Sequence, residues 1–119
     1  MVRIAVSGIA KQEIARAATR AGGDQVQVTI LSDIEAARAV KEGRADALIG
    51  SCATGLGGAL AMAIALLGRE RCTTVATAAR TLPPDEIKGK VGAGIVAFGV
   101  IADGVEAAVP PLVAALLSR

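Results

Sequence analysis

The chain has 119 residues, which suffices for one domain with a continuous core but not for two domains of typical size. Its net charge is only +2 and Phe98 is its single aromatic residue, so neither a basic surface nor aromatic platforms for nucleic acid are expected. The sequence has no histidine, which excludes an imidazole base and most transition-metal sites, and it predicts neither a metal nor a cofactor.

The amino-terminal part of the chain predicts two strand-and-helix units. Strands are expected over Arg3–Ser7 and Val26–Leu31, where Val and Ile are frequent. A helix over Lys11–Ala21 follows the first strand. A second helix begins with Asp33 as its cap and ends at Gly43.

The rest of the chain continues the alternation of strands and helices. Three further strands are expected over Ala45–Gly50, Cys72–Thr77 and Ile95–Ile101. One helix ends near Gly68, and another opens at Pro84. Three glycines make Lys88–Gly94 a poor helix. Asp103 is expected to cap a last helix, which reaches Leu117 although two prolines lie inside it.

This alternation is typical of consecutive βαβ units. It predicts a single α/β domain over residues 1–119, a three-layer doubly wound fold with a mostly parallel five-stranded sheet, Rossmann-like or flavodoxin-like. The longest apolar run, Ala59–Leu67, is far shorter than the ~20 residues that span a bilayer. It predicts a core helix or a contact in a homo-oligomer. Without a signal peptide, a cytoplasmic protein with no direct membrane insertion is expected.

The turn from Gly50 to Gly58 is the best candidate site. Doubly wound sheets bind ligands beyond the carboxyl ends of their strands, where free N–H groups at helix starts favour anions. The predicted ligand is therefore a small phosphorylated or carboxylate metabolite. Alternatively, the glycines only let a helix pack closely on the sheet. The predicted ligand-binding residues are Ser7, Gly8, Asp33, Gly50, Ser51, Cys52, Thr54, Gly55, Gly57, Gly58 and Thr77.

Cys52 is the strongly nucleophilic side chain of this turn and the candidate catalytic residue. A thiol near a helix N-terminus tends towards the thiolate, which can act as a base or accept a phosphoryl group. The alternative is a small buried side chain, which is common for cysteine. Cys52 and Cys72 are expected at opposite ends of neighbouring strands, on the order of 15 Å apart. A disulfide needs Cα atoms within about 7 Å, so none is predicted.

Two familiar nucleotide-binding motifs do not fit the turn. A P-loop requires Lys and then Ser or Thr after its last glycine, whereas Leu56 follows Gly55. A dinucleotide fingerprint requires a small residue where Leu60 stands, and it normally follows the first strand. The turn therefore matches neither motif.

The turn Gly50–Gly57, with Val6–Gly8 before it and Val96–Gly99 after it, resembles the YhfU-like family of small glycine-rich bacterial proteins. The likeness extends through Asp33–Ala37 and Gly43, and so over nearly the whole chain. No biochemical role is assigned to that family. Its members tend to be encoded beside predicted membrane transport proteins and metabolic enzymes. The resemblance thus implies uptake or processing of a small molecule, with a membrane transport protein as a partner.

The turn is also similar to the Cys-Gly-Thr-Gly segment of type B pentose-phosphate isomerases, where a strand-end cysteine transfers the proton. Cys52, Thr54, Gly55 and Gly57 match, but Ala53 replaces a glycine and the histidines of those enzymes are absent. A sugar-phosphotransferase B subunit has a similar cysteine, but after its first strand. These resemblances imply an alternative function, an isomerase or a phosphoryl carrier that uses Cys52. A structural or assembly role is the third hypothesis.

Overall fold

A computed structural model describes residues 1–53 and 58–119, in which five strands alternate with five α-helices. The strands are β1 (Val2–Gly8), β2 (Val26–Ile30), β3 (Ala47–Cys52), β4 (Cys72–Ala76) and β5 (Ala97–Ile101). The helices are α1 (Lys11–Gly22), α2 (Asp33–Lys41), α3 (Ala61–Leu67), α4 (Pro84–Gly92) and α5 (Val105–Leu117). Within the described ranges, every helix is too short or too polar to span a bilayer.

The strands form one parallel sheet in the order β2-β1-β3-β5-β4. Helices α1, α4 and α5 cover one face, where Val6, Ile49 and Phe98 lie buried in a large apolar cluster. Helices α2 and α3 cover the other face, over a smaller cluster that includes Ala5 and Leu48. Because the central strands are buried on both faces, they are apolar at almost every position. The predicted three-layer, doubly wound α/β fold is confirmed.

Helix α2 begins at Asp33, one residue earlier than a cap at Asp33 would require, because Ser32 is its cap. The Ser32 hydroxyl accepts a hydrogen bond from the Glu35 N–H at 3.2 Å, and the Glu35 carboxylate accepts from the Ser32 backbone N–H. This reciprocal pair is a capping box, whose Ser-x-x-Glu spacing is present in the sequence. The prediction that Asp33 caps the helix was wrong, because Ser32 and Glu35 make the capping hydrogen bonds.

Two later helices also differ from their predictions. Helix α4 forms as far as Gly92, because Ile87 and Val91 lie one turn apart and are both buried. A Cβ at Gly89 or Gly92 would meet no atom within 4 Å, so these glycines face away from the core. Burial of the apolar pair outweighs the low helix propensity of glycine. In α5 the cap is Gly104, and Asp103 lies in the preceding 3-10 turn (Ala102–Gly104) without capping.

An ion pair joins the chain before β3 to the start of β1. The backbone N–H of Arg3 donates to Asp46 Oδ2 at 2.8 Å, and its guanidinium donates to both carboxylate oxygens. These hydrogen bonds from Arg3, first from its side chain and then from its backbone, hold the pKa of Asp46 below its ordinary value. The pair therefore couples the stability of the sheet to acidic pH.

We expect Asp46→Asn to be less stable than wild type at pH 7, and we expect this deficit to shrink in acid. Because the pKa of Asp46 is lowered by folding, its contribution is fully present above the unfolded value of about 3.9. It is lost as pH falls through the lower, folded value. Urea unfolding of both proteins from pH 7 to pH 2.5 measures the difference. The exposed residue Asp24 provides a control variant, Asp24→Asn. A deficit that does not change with pH would contradict this coupling.

Candidate functional site

The carboxyl ends of β1 and β3 meet near the middle of the sheet, and the chain leaves them towards opposite faces. After β1 it continues into α1, whereas after β3 it continues into α3 on the other face. Such a reversal between neighbouring strands opens a crevice, which is where doubly wound sheets bind their ligands. The candidate site is therefore the carboxyl edge of the sheet between β1 and β3, called the central edge below.

Ser51 and Gly8 hold the two strands together at the central edge. The buried Ser51 hydroxyl accepts a hydrogen bond from the Ala10 N–H at 2.7 Å and donates to the Ser7 carbonyl at 3.3 Å. The Ile9 N–H donates to the Ser51 carbonyl at 3.3 Å. Gly8 has φ +97°, and a Cβ there would overlap the Ser51 carbonyl oxygen. Because its hydrogen bonds join β1 to β3, Ser51 positions the site.

Ser7 lies fully buried beside this junction. Side chains alternate along a strand, so Ser7 lies on the same face as Ala5, towards α2 and α3. Its hydroxyl has no hydrogen-bond partner among residues 1–53 and 58–119. A buried polar group without a partner costs about 1–3 kcal/mol and therefore needs an explanation. A ligand group at the central edge supplies one.

A row of small residues crosses the sheet from Ser7 on the same face. Ser7 is in register with Gly50, Gly50 with Gly99, and Gly99 with Thr74. A Cβ at Gly99 would lie 3.1 Å from Leu60 Cδ1 and 3.3 Å from the Thr74 hydroxyl oxygen. At Gly99, therefore, the missing side chain makes room for buried Leu60. This is the packing role of glycine that the sequence left open.

Cys52 ends β3 on this face. It is half-buried and in register with Ile101, and a Cβ on exposed Gly58 would lie 3.8 Å from Cys52 Cβ. Gly58 begins a 3-10 turn (Gly58–Leu60) that precedes α3. The structure thus brings Ser7, Gly8, Gly50, Ser51 and Cys52 to one edge, with Gly58 beside Cys52. The predicted ligand-binding residues Thr54, Gly55 and Gly57 lie outside the described residues.

The remaining two predicted ligand-binding residues follow other strands. Asp33 begins α2, after β2, and its Oδ1 atom is buried without a partner in the described ranges. Thr77 follows β4, where its hydroxyl accepts from the N–H groups of Ala79 and Arg80. Because β4 lies three strands from β1, Thr77 is about 14 Å from Ser7 along the sheet. Asp33 follows a strand that is next to β1, whereas Thr77 follows one that is three strands away.

A cleft of about 370 Å³ lies at the same sheet edge beside Thr77, between the ends of β4 and β5. Its charged lining residues are Arg80 and Asp103, and Arg80 also pairs with Glu86 at 3.3 Å. The local sequence carries no signal of this cleft, because the cleft depends on the strand order that places β4 beside β5. This cleft is the alternative to the central edge as the place where a ligand binds.

Neither cysteine forms a disulfide, as predicted. Their strands were expected to be neighbours, but β5 lies between β3 and β4. Burial raises the pKa of the Cys72 thiol, and the negative charge of Glu70 adds to that effect. The Cys72 thiol also lies 3.4 Å from the Gly68 carbonyl oxygen. Because the thiolate is the nucleophile, both features oppose reaction of Cys72.

Iodoacetamide at pH 7.5 should therefore modify Cys72 more slowly in the folded protein than in the urea-unfolded chain. Peptide mass spectrometry of the Cys52→Ser variant measures the two rates without interference from the other thiol. Equal rates in the folded and unfolded chains would show that the environment of Cys72 does not suppress its reactivity. Slow reaction of Cys72 also makes selective modification of Cys52 practical.

Two solved structures share the fold over 99% of this chain. The ribose 5-phosphate isomerase of Thermotoga maritima aligns over 87% of its own chain with a TM-score of 0.71 and 19% identity. The ribose-5-phosphate isomerase B of Giardia lamblia aligns over 92% of its chain with a TM-score of 0.66 and 21% identity. At these identities the likeness establishes the fold alone.

The sequence has closer relatives. It is 35% identical over 113 residues to the uncharacterized protein YhfU of Escherichia coli strain K12, covering 95% of this chain and 97% of that protein. The YhfU protein of Shigella flexneri matches with the same identity and coverage. A family described as "Protein of unknown function DUF2620" matches residues 2–116.

Proposed function

We propose that this chain, which belongs to the family described as protein of unknown function DUF2620, binds a small phosphorylated or carboxylate metabolite at its central edge. Family membership confirms the YhfU-like resemblance seen in the sequence. The observation that carries the proposal is the buried Ser7 hydroxyl, which has no partner in the described ranges and lies beside Gly50. A hydroxyl of this kind can donate to a ligand oxygen and accept from a ligand hydroxyl.

The anionic group of the ligand is assigned to the glycine-rich turn that follows Cys52. Support for this assignment comes from the sequence, because glycines let backbone amides approach an anion closely. The structure adds that the contacts of Ser51 and Gly8 hold β1 against β3 at the end of β3, next to that turn. The ligand in this proposal touches both the Ser7 hydroxyl and the turn.

A thermal-shift screen of ribose 5-phosphate, glucose 6-phosphate, glycerol 3-phosphate and small carboxylates tests the proposal. A ligand at a hundred times its dissociation constant stabilises the folded state by about 2.7 kcal/mol. We expect at least one compound to raise the melting temperature of wild type, and Ser7→Ala to weaken that response. Ser118→Ala is the control, because the Ser118 hydroxyl donates to the Ala115 carbonyl at the end of α5. A response that is equal in wild type and Ser7→Ala would contradict the proposal.

A second candidate function is catalysis with Cys52 as a proton-transferring base. It is favoured by the position of Cys52, which ends β3 on the face where Ser7 lies. Proteins named as ribose 5-phosphate isomerases share this fold, so the candidate reaction is aldose–ketose isomerisation of a sugar phosphate. Cys52→Ser should then abolish turnover of ribose 5-phosphate and keep most of the affinity. If wild type shows binding without turnover, the protein is a binding module.

The partners and the compartment of the protein stay predictions. A homo-oligomer, a membrane transport protein as partner and a cytoplasmic location are all compatible with a domain that holds a small metabolite. Analytical ultracentrifugation with and without ribose 5-phosphate measures the subunit number directly. We propose a homo-oligomer, so a monomer at micromolar concentration in both conditions would contradict that part.

A further inference from the structure

Asp33 has a carboxylate that the helix does not use. Ser32 and Glu35 together form the cap of α2, and Asp33 is the first residue inside the helix. No hydrogen bond reaches Asp33 Oδ1 from the described residues, although this atom is buried. A carboxylate oxygen that is removed from water without a donor is costly, so its retention calls for a donor from beyond the described residues.

The helical position of Asp33 places it on the sheet-facing side of α2. It precedes Ala36 and Ala37 by three and four residues, and both alanines are completely buried. Residues at these spacings share one face of a helix. The buried Oδ1 atom therefore lies in the layer between α2 and the sheet, at the end of the helix that is nearest the carboxyl edge.

Ser7 lies in the same layer. Ala5, two residues before Ser7 on β1, belongs to the apolar cluster that contains Ala36 and Ala37. Ser7 extends that cluster along β1, and Asp33 extends it along α2, both towards the carboxyl edge. In the described part of the chain, their Oγ and Oδ1 atoms are the two buried side-chain polar atoms that have no partner. Their location in one layer indicates one ligand for both.

The chemistry of a carboxylate limits what that ligand can present. A carboxylate accepts hydrogen bonds and repels other anions, so the anionic group of the ligand must lie away from Asp33. We propose that Asp33 accepts a hydrogen bond from a ligand hydroxyl and thereby selects polyhydroxylated anions, of the sugar-phosphate type, over a bare anion. This inference rests on the proposed function, because it concerns the other end of the same ligand.

Isothermal titration of wild type and Asp33→Ala tests this role with two kinds of probe. The hydroxylated probes are ribose 5-phosphate, glucose 6-phosphate and glycerol 3-phosphate, and the bare probe is inorganic phosphate. We expect Asp33→Ala to weaken the best hydroxylated probe by about tenfold or more, as for loss of a hydrogen bond to a charged group. Its affinity for inorganic phosphate should be unchanged or higher. Asp85→Ala removes a first-turn carboxylate from α4 and is the matched control.

The outcomes separate the two proposals. If wild type binds none of the probes and none of the carboxylates of the thermal-shift screen, the proposed function fails and the role of Asp33 fails with it. If wild type binds a hydroxylated probe and Asp33→Ala binds it equally well, only the role of Asp33 is overturned. Equal losses for both kinds of probe would indicate a merely structural residue and would also overturn it. Asp33→Leu, which has a similar branched shape and no hydrogen-bond acceptor, replaces Asp33→Ala if the latter does not fold by circular dichroism.

Discussion

Replacing Gly8 with alanine is expected to lower the free energy of unfolding by about 3 kcal/mol or more. Alanine is strained at φ +97°, a conformation that costs about 1–2 kcal/mol for a residue with a Cβ. The new Cβ would also overlap the backbone of Ser51 and push β1 away from β3. Urea unfolding measures the loss, and weakened ligand response should accompany it because the central edge is displaced.

Gly94→Ala is the matched control for this prediction. Gly94 has φ +98°, almost the same as Gly8, but a Cβ there would meet no atom within 4 Å. It should therefore show only the cost of backbone strain, about 1–2 kcal/mol. If both variants lose the same stability, the close approach of Gly8 to Ser51 does not matter for the fold.

Ser51→Ala and Ser7→Ala are expected to differ sharply in stability, although both serines are buried at neighbouring strand ends. Loss of the Ser51 hydroxyl leaves the Ala10 N–H without the hydrogen bond made at 2.7 Å, and we expect a cost of about 1–3 kcal/mol. Loss of the Ser7 hydroxyl removes an atom that has no partner in the described ranges. Without ligand, Ser7→Ala should therefore be as stable as wild type or more stable.

Chemical unfolding of the two variants without added ligand measures this contrast. Ser51→Thr retains the hydroxyl oxygen. It therefore shows whether the stability loss of Ser51→Ala comes from the lost hydrogen bond or from the changed size of the side chain. A loss of more than about 1 kcal/mol in Ser7→Ala would mean that the Ser7 hydroxyl stabilises the fold itself. The main support for the ligand site would then be gone.

Much of the fold could be predicted from the sequence because its strands are buried and apolar. The segment Ile95–Ile101, for example, is rich in Val and Ile, and the structure places β5 within it, over Ala97–Ile101. The prediction of a poor helix over Lys88–Gly94 considered only the low helix propensity of glycine. In the structure, Ile87 and Val91 of α4 pack into the core and stabilise the helix. Local propensity cannot show which face of a short helix will be covered.

The candidate site was predictable only in part. Cys52 and the glycines around it are adjacent in sequence, so one turn signal reveals them. Strand pairing is non-local, so neither the Ser7–Gly50–Gly99 row nor the distance of Thr77 from Ser7 could be foreseen. The predicted cap at Asp33 was wrong for a local reason, because the Ser-x-x-Glu spacing of Ser32 and Glu35 already indicates a capping box.

Backbone NMR of the ¹⁵N-labelled protein, titrated with ribose 5-phosphate, tests the central claim most directly. Binding at the central edge predicts saturable shifts that are largest for the amides of Gly8, Ser51 and Cys52. Shifts centred instead on Arg80 and Asp103, which line the cleft between β4 and β5, would contradict it.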